Sequence, residues 1–522
     1  MTHRSAFSLL AFLLATLTVH GCSSSSPSPE VELAPVVARV QPEASAASIT
    51  AGDMMGHIEY LASDELQGRD TPSPGLEKAA IYIEQAFSAA GLVPAGDDGS
   101  FIQRWTFEET TLIPSETSVE VRVGDATEIL EYSTDFFVLP SGDESVTANL
   151  AFAGPIDRFL GESPPPMGGG IAVVTTPPSM GMEILMAARN AAAAGAAGLV
   201  LILHPEVPAD VIGMVAGQIA GAGMPAQAVP TIGVTWATAE RLVSGAGYEL
   251  ETLATDAEET GSPIPMEGVA ATVRTPRDRQ ISNPPNVVGL IRGSDPTLSD
   301  TYVVLTAHFD HVGIGEANAE GDSIYNGADD DASGTAVLLE VAEAFQSMPR
   351  PPARSVVFLA VSGEEKGLLG AAHFAEEPTV PLEGIIANIN MDMIGRNAPD
   401  TLIAIGQEFT SLGSLAKDIA SRHPEIGLTI APDPDPSEQA FFRSDHLVFV
   451  KKDIPAIFFT TWDHEDYHQP SDEAHAIDAD KAARVARLAF YMTWQVADDP
   501  EPPTWKDGAL EEVHAILEDS PF

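Results

Sequence analysis

The second half of the chain is patterned as short apolar runs, each followed by polar residues. The runs TYVVLTA, SVVFLAVSG, GIIANINM and AIFFTTW have strand length and begin after about residue 281. Helical segments such as 335–345 lie between them. Continuous β-branched runs separated by helices indicate a largely parallel sheet that is buried on both faces. We therefore predict an α/β domain in this part of the chain.

Two earlier stretches have different patterns. Residues 57–92 show the apolar spacing of two helices with a Pro/Gly-rich loop between them. From about 115 to 280 the chain changes to short strands, prolines and an alanine-rich segment at 184–203. Arg189, Asn190 and two glycines interrupt that segment, so we interpret it as a helix, a glycine break and a buried strand rather than a membrane helix.

The N-terminus has the pattern of an export signal. An apolar run over 7–19 is too short to span a membrane and leads to Cys22, the only cysteine in the chain. The residues VHGC resemble a bacterial lipobox, although His20 is unusual at its position. We predict a lipoprotein signal peptide over 1–22, with an ordinary secretion signal as the alternative, and a disordered tether over 23–50. The protein would then be exported, without disulfides, to the bacterial cell envelope.

Composition narrows the set of partners. The chain of 522 residues is long enough for two domains plus tails. It carries 76 acidic and 26 basic residues, a formal net charge of −50. Such a surface repels nucleic acid and anionic lipid, so we exclude both as partners and expect membrane contact only through a lipidated Cys22.

Three adjacent aspartates at 329–331 precede the apolar helix 335–345. Like charges this close raise one another's pKa unless a cation or hydrogen-bond donors compensate. Helix capping accounts for one aspartate only. An EF-hand calcium loop matches in spacing, but the residues before it are Gly-, Asn- and Ser-rich and indicate a loop where an EF-hand needs a helix. The ligands of that rejected match are Asp329, Asp331, Ser333, Gly334 and Glu340.

Chemistry-bearing side chains follow the predicted strands where each one ends. In open sheets of this type the ligand site lies outside the carboxyl ends of the strands. Two histidines and several carboxylates at one edge are a ligand set for zinc or a similar divalent metal, and Asp330 could bridge two ions. The residues concerned are His308, Asp310, Glu364, Glu365, Asp392 and His468.

Five motifs in this order resemble the co-catalytic zinc aminopeptidases typified by bacterial leucyl aminopeptidase. They are HFDHVG (308–313), NGADDDASG (326–334), SGEEKGLLG (362–370), NMDMIG (390–395) and DYHQPSD (466–472). The resemblance implies a three-layer α/β/α sandwich, the zinc exopeptidase fold, and the removal of residues from the amino end of peptides. It also implies two zinc ions per chain, although cobalt and manganese accept similar ligands.

The resemblance assigns a role to each site residue. Asp330 would bridge the ions, with His308 and Asp392 completing one site and Glu365 and His468 the other. Glu364 resembles the general base, which takes a proton from the attacking water and passes it to the leaving amine. Two further carboxylates, Asp310 and Asp472, would orient His308 and His468 respectively. The peptide bond between Asp330 and Asp331 would be cis.

The middle of the chain resembles another known module. GGGIAVVTT, AARNAAAAGAAGLVLIL and VPTIGVTWATAERL together resemble the protease-associated domain, an insert of several exported peptidases. We therefore predict a peptidase domain in two parts, with a β-rich insert between them and an acidic C-terminal tail that starts as a linker and ends in a short helix. The boundaries are 51–114 and 281–497 for the peptidase domain, 115–280 for the insert and 498–522 for the tail.

Several alternatives compete with this interpretation. HEDYH (464–468) matches the single-zinc signature His-Glu-x-x-His, but it follows a predicted strand, and Pro470 leaves little room for a helix. A carboxypeptidase would present an arginine to the substrate carboxylate, and both Arg396 and Arg443 lie near the motifs. A glutaminyl-cyclase-like enzyme and a non-enzymatic binding protein also use this architecture, although the binding proteins have lost metal ligands.

Overall fold

The computed structural model describes residues 42–139, 145–161, 163–178, 183–207 and 229–519. The predicted signal peptide, the lipid anchor and most of the predicted tether lie outside the described residues. The helices of the described part are α1 (Glu43–Ala46), α2 (Ala51–Leu61), α3 (Pro74–Ala89), α4 (Glu183–Ala193), α5 (Trp236–Gly245), α6 (Leu250–Thr260), α7 (Gly334–Gln346), α8 (Leu369–Glu376), α9 (Ser411–Arg422), α10 (His446–Val450), α11 (Ala479–Asp498) and α12 (Ala509–Asp519).

The strands of the described part form two large sheets and two separate antiparallel pairs. In chain order they are β1 (Val93–Pro94), β2 (Ile102–Arg104), β3 (Phe107–Leu112), β4 (Ser118–Val123), β5 (Ala126–Leu130), β6 (Phe136–Val138), β7 (Ser145–Pro155), β8 (Ile171–Thr175), β9 (Gly198–Ile202), β10 (Thr231–Val234), β11 (Ile264–Arg274), β12 (Arg277–Ser282), β13 (Pro285–Ile291), β14 (Tyr302–His308), β15 (Gly313–Ile314), β16 (Ile324–Tyr325), β17 (Ser355–Val361), β18 (Ile385–Met391), β19 (Thr401–Ile405), β20 (Thr429–Ala431) and β21 (Ala456–Thr460).

The first large sheet has nine strands in the order β1-β13-β17-β14-β18-β21-β19-β20, with β2 also paired to β13. Its four central strands, β17, β14, β18 and β21, run parallel, whereas β13 and β19 pair antiparallel to them at either side. Every residue of β14 and β17 is buried, as expected for parallel strands covered on both faces. The prediction of an α/β fold with a mostly parallel sheet is therefore confirmed.

Helices cover both faces of this sheet. On one face, Phe345 of α7 packs edge to face against Phe358 of β17 and Phe490 of α11. On the other face, α8, α10 and α12 contribute Phe374, Phe449 and Val513 to a core with the remaining strand residues. Because each strand presents an apolar side chain to either face, burial on both sides stabilises the three-layer arrangement.

The second large sheet has eight strands in the order β5-β4-β11-β7-β8-β9-β10-β6 and packs its core against α5 and α6. The antiparallel pair β3 and β12 brings the chain into this smaller body and out of it side by side. The segment 184–203 forms α4 and β9, as the glycine break predicted. Among the described residues, no helix is both long and apolar enough to cross a membrane.

The N-terminal boundary of the larger body differs from the prediction. Residues 42–50, assigned above to the tether over 23–50, include α1 and bury Ile49 completely. The guanidinium of Arg487 donates to the carbonyl of Ile49. The sequence did not show this because the segment is short and its partners lie on a distant helix. At the other end, α12 confirms the helix predicted in the C-terminal tail.

Candidate metal centre

The parallel strands deliver the predicted ligands to one edge of the larger sheet. His308 is the last residue of β14, and Asp392 directly follows β18. Glu365 lies shortly after β17, and His468 lies in the loop that follows β21. Asp330 comes from the segment Ala328–Ser333 in front of α7. The structure brings all five of these side chains together.

Asp330 lies at the centre of two clusters. Its Oδ1 is 3.2 Å from Nε2 of His308, which is also 3.5 Å from Oδ1 of Asp392. Its Oδ2 is 3.1 Å from Nε2 of His468, which is also 3.1 Å from Oε2 of Glu365. Each carboxylate oxygen of Asp330 therefore faces one histidine and one further carboxylate. The peptide bond between Asp330 and Asp331 is cis, as the resemblance implied.

The donor set fits zinc. Ligands of a tetrahedral zinc with bonds of about 2.05 Å stand about 3.3 Å apart, close to the separations within both clusters. Nε2 of His468 is buried and lies near two carboxylate oxygens, yet it has no hydrogen-bond partner in the part of the chain that the structure describes. A nitrogen aimed between two carboxylates without bonding to either is placed as a metal ligand is. A cation there would also offset the repulsion among the clustered carboxylates.

The three adjacent aspartates make different contacts. Asp331 accepts the backbone amide of Gly334 at the start of α7 (2.8 Å), so it caps the helix. Asp329 accepts the amide of Gly395 (2.6 Å) and so fixes a neighbouring loop. Only Asp330 faces both clusters. The calcium alternative is wrong, because Glu340 lies on α7 within 3.4 Å of an imidazole of α2, away from these aspartates.

Asp472 supports the bridging residue rather than the histidine it was expected to orient. Its oxygens accept the backbone amides of Asp329 and Asp330 at 3.1 Å. Burial raises the pKa of Asp472 to about 6, and the charge of Asp329 adds to this rise. The resemblance implied that Asp472 would orient His468, but the carboxylate bonds to the aspartate segment instead.

Asp310 lies beside His308, whose Nδ1 is 3.2 Å from the backbone carbonyl oxygen of Asp310. Its Oδ1 is 3.6 Å from Nδ1 of His308 and also accepts the backbone amide of Glu364 (3.3 Å). Its Oδ2 accepts the hydroxyl of Thr71 (3.0 Å). The buried carboxylate thus ties together the ends of β14 and β17 and the loop after α2.

A chain of buried hydrogen bonds holds Oδ2 of Asp392, the oxygen other than the one that faces His308. Ser444 donates from Oγ to Oδ2 of Asp392 (2.6 Å) and accepts from Nδ2 of Asn390 (2.7 Å). Thr306 donates to Oδ1 of Asn390 (2.6 Å). Sequence reasoning missed Ser444, since it lies in a loop outside the five motifs. Such a partner fixes the orientation of a ligating carboxylate.

Arg69 is another residue that the motifs do not include. Its guanidinium is fully buried and donates to the carbonyls of Phe309 (2.8 Å), Asn326 (2.7 Å) and Gly327 (2.9 Å), as well as to that of Leu61. These carbonyls belong to the loops that carry His308 and Asp330. Arg69 therefore joins the N-terminal part of the larger body to both metal-ligand loops.

The HEDYH segment does not form a helical zinc site. Residues 465–468 form a turn, and Nε2 of His464 lies 3.3 Å from Oδ2 of Asp329 rather than beside His468. Neither histidine–carboxylate group found among the described residues includes His464. The rejection of this motif is confirmed.

The adjacent glutamates have opposite electrostatic properties. Burial raises the pKa of Glu364 well above its usual range, against an opposing effect of His308. Burial also acts to raise the pKa of Glu365, but His468 and His311 outweigh it and lower that pKa to about 2. The carboxylate of Glu365 is therefore ionised beside the histidines of the cluster, whereas Glu364 lines the open cleft.

The cleft beside the clusters is lined by charged, polar and apolar side chains. Burial and the nearby carboxylates raise the pKa of Tyr467, whose ring stacks on His468 at 4.0 Å, so the phenol stays protonated. Tyr467 stands in the motif DYHQPSD, but the resemblance gave it no role. Besides His308, Asp330, Asp392 and Glu364, the cleft is lined by Met393, Ala440, Arg443, Phe458, Thr460, Trp462, Asp463 and Tyr467.

This mostly parallel sheet, with histidine–carboxylate clusters at the carboxyl ends of its strands, defines the class of zinc exopeptidase folds. Residues 286–493 match the model of Peptidase family M28, and this stretch contains the five motifs described above. An aminopeptidase structure from Aneurinibacillus sp. strain AM-1 has the same fold, with a TM-score of 0.55 and 21% identity over 88% of this chain and 97% of that chain.

Three curated relatives each match less than half of this chain. A probable zinc metalloprotease of Pyricularia oryzae is 30% identical over 46% of this chain and 54% of its own length. A glutamate carboxypeptidase 2 homolog of Caenorhabditis elegans is 30% identical over 43% of this chain and 30% of its own length. Aminopeptidase YwaD of Bacillus subtilis is 24% identical over 45% of this chain and 50% of its own length. The chain thus spans about half or less of the length of these relatives.

Proposed function

We propose that this protein is a metallo-aminopeptidase that binds two zinc ions and removes N-terminal residues from peptides. The observation that carries the proposal is Asp330, whose two carboxylate oxygens face separate histidine–carboxylate clusters. His308 and Asp392 would hold one ion, and Glu365 and His468 the other. The zinc metalloprotease and aminopeptidase relatives support the choice of metal and of reaction.

The bound ions would supply a Lewis acid for the peptide carbonyl and would lower the pKa of water. The remaining work falls to side chains of the cleft. Glu364 has a raised pKa and no place in either cluster, so it can take a proton from the attacking water and return it to the leaving amine. The protonated phenol of Tyr467 can donate a hydrogen bond to the carbonyl oxygen of the scissile bond.

Charge favours an amino end over a carboxyl end as the bound group. Arg396 pairs with Asp466 at 2.5 Å, and Arg443 lies 3.6 Å from Asp463 at the rim of the cleft. Both arginines that could bind a substrate carboxylate therefore already face an aspartate. The net charge of −50 adds a field that attracts an ammonium and repels a carboxylate. The apolar side chains of Met393, Phe458 and Trp462 in the lining of the cleft suit a hydrophobic first side chain.

The test combines metal content with cleavage of leucine p-nitroanilide, its N-acetylated form and an N-acetylated peptide with a free carboxyl end. We expect two zinc ions and cleavage of the free-amine substrate alone. Glu364→Gln should lose about 10²–10⁴-fold in kcat while keeping both ions. Glu425→Gln, the same change at an exposed position, is the matched control. Cleavage of the N-acetylated peptide alone would instead establish a carboxypeptidase, for which Arg443 in the cleft is the structural argument.

The same proposal extends to the remaining modules. The eight-stranded smaller body would be a protease-associated domain, supported by its strand-rich insertion through the β3–β12 pair. The export signal and Cys22 would place the enzyme on a lipid anchor in the cell envelope. Incorporation of labelled palmitate into the native chain but not into Cys22→Ser would support the anchor. Absence of label from both chains would refute it.

A further inference from the structure

His311 is a buried histidine beside the second cluster, and the motif comparison gave it no role. Its side chain is fully buried, and its ring packs edge to face against that of His468 at 5.4 Å. Its Nδ1 is 2.8 Å from Oε1 of Glu365 and 3.6 Å from Oδ2 of Asp330. His311 thus joins these three residues in a group whose ligand atoms all lie within 4.8 Å of one another.

The two oxygens of Glu365 face different histidines. Oε2 is the oxygen that lies 3.1 Å from Nε2 of His468, which in turn lies 3.1 Å from Oδ2 of Asp330. These three atoms have the mutual spacing expected around one zinc ion. Oε1 is instead occupied by the hydrogen bond with His311. The contact with His311 therefore leaves Oε2 as the oxygen available to the metal.

The surroundings of Nε2 indicate which nitrogen of His311 carries the proton. Nε2 is buried and has no hydrogen-bond partner within the described ranges. If Nδ1 bound the metal, Nε2 would carry the proton and would be a buried donor without an acceptor, at a cost of about 1–3 kcal/mol. With the proton on Nδ1, His311 donates to Glu365, and Nε2 keeps only an unused lone pair.

The chain makes room for this imidazole. A methyl group added at Gly327 would lie 2.5 Å from Cγ of His311, so only glycine leaves space for the ring in this position. The backbone amide of His311 donates to the carbonyl of Arg69 (3.3 Å), which anchors the same loop from behind. The ring is therefore held in its orientation by both the loop before α7 and the loop after α2.

We propose that His311 is a positioning residue of the second metal site. It donates from Nδ1 to Oε1 of Glu365 and fixes that carboxylate to bind through Oε2 alone. The inference rests on the metal centre of the proposed function and not on the reaction or its substrate. Removal of a hydrogen-bond partner of this kind typically lowers the affinity for the metal 10–100-fold.

The test measures metal binding by the full chain, not its activity. Metal-free protein is titrated with zinc against a competing chelator, and with cobalt while the visible absorption is recorded. His311→Leu removes the donor at similar volume, whereas His311→Asn keeps an N–H group close to the position of Nδ1. We expect His311→Leu to bind the zinc ion of the second site about 10–100-fold less tightly than the native chain does. His311→Asn should bind both ions nearly as tightly as the native chain.

Two results would overturn the proposal. Native affinity for both ions in His311→Leu would show that the hydrogen bond does not support the site. Equal loss in both variants, with an altered cobalt spectrum in His311→Asn, would make His311 a direct ligand. Melting of the metal-free proteins checks that each variant is folded, and His423→Leu, a histidine that stacks on Tyr491 elsewhere, is the matched control.

The metal titration separates this proposal from the proposed function. Two bound ions in an inactive native chain, with the second weakened in His311→Leu, would support the role of His311 while refuting the aminopeptidase. A native chain that binds no divalent metal would overturn both.

Discussion

Replacement of Gly327 by alanine should damage the metal centre through steric overlap alone. Gly327 has a φ of +59°, and an added Cβ would lie 2.2 Å from the carbonyl oxygen of Asp330 and 2.5 Å from Cγ of His311. Gly427 has nearly the same φ, +57°, but its added Cβ would meet nothing closer than 3.7 Å. The pair therefore separates the cost of a left-handed backbone from the cost of crowding.

The expected magnitudes follow from these two costs. A left-handed alanine costs about 1–2 kcal/mol, partly offset by about 0.4–1 kcal/mol through the unfolded chain, so Gly427→Ala should lose about 1 kcal/mol. Gly327→Ala carries the same cost plus about 1–3 kcal/mol of overpacking, for a total of about 2–4 kcal/mol. Because Asp330 and His311 must also move, the metals should bind more weakly in Gly327→Ala only.

Urea unfolding of the metal-free variants, followed by tryptophan fluorescence, gives the free energies. Trp236 lies in the smaller body, and the other tryptophans, Trp105, Trp462, Trp494 and Trp505, report on the larger one. Zinc competition with a chelator then gives the metal affinities. Equal losses of stability in the two variants, or unchanged zinc affinity in Gly327→Ala, would refute the argument that the ring and the bridging aspartate need this glycine.

Three further changes test the supports around the site. Ser444→Ala should lower the affinity of the site formed by His308 and Asp392 about 10–100-fold, measured by zinc competition, and unchanged affinity would rule out a role for that hydroxyl. Arg69→Met leaves several buried carbonyls without donors, at about 1–3 kcal/mol each. Urea unfolding should therefore show a loss of unfolding free energy well above that of Arg279→Met, the same change at an exposed arginine. Burial lowers the pKa of Lys481 to about 8, although Asp329 and Asp478 oppose the shift. The unfolded chain then binds more protons between about pH 8 and 10.5, the ordinary pKa of a lysine. This lysine should therefore make stability rise with pH across that window, and Lys481→Met should flatten the rise.

Local patterns predicted the parts of the fold that depend on neighbours in sequence. The run that became β14 is buried at every position, and its apolar length sufficed to predict a central strand. The polar residues at the ends of successive strands predicted a shared edge because parallel strands end on the same side of a sheet. The glycines at 195 and 198 likewise marked the break between α4 and β9.

Contacts between residues far apart in sequence could not be predicted from the hydrophobic pattern and the motifs. Asp472 bonds to amides more than a hundred residues earlier, and Arg69 joins loops that lie far along the chain. His311 stands in a quoted motif, yet its contact with Glu365 depends on how two strand ends approach each other. Ile49 was assigned to a tether because nothing near it in sequence shows the helix that buries it.

The α/β class, the positions of the strand ends and the residue types available for a metal could all be predicted from the sequence, because hydrophobic periodicity and local spacing are properties of short segments. The folded arrangement was needed to show which of three adjacent aspartates faces both clusters, which oxygen of Glu365 is left for a metal, and what surrounds His311. Those outcomes depend on distances of a few ångströms between segments far apart in the chain, which packing of the whole body sets.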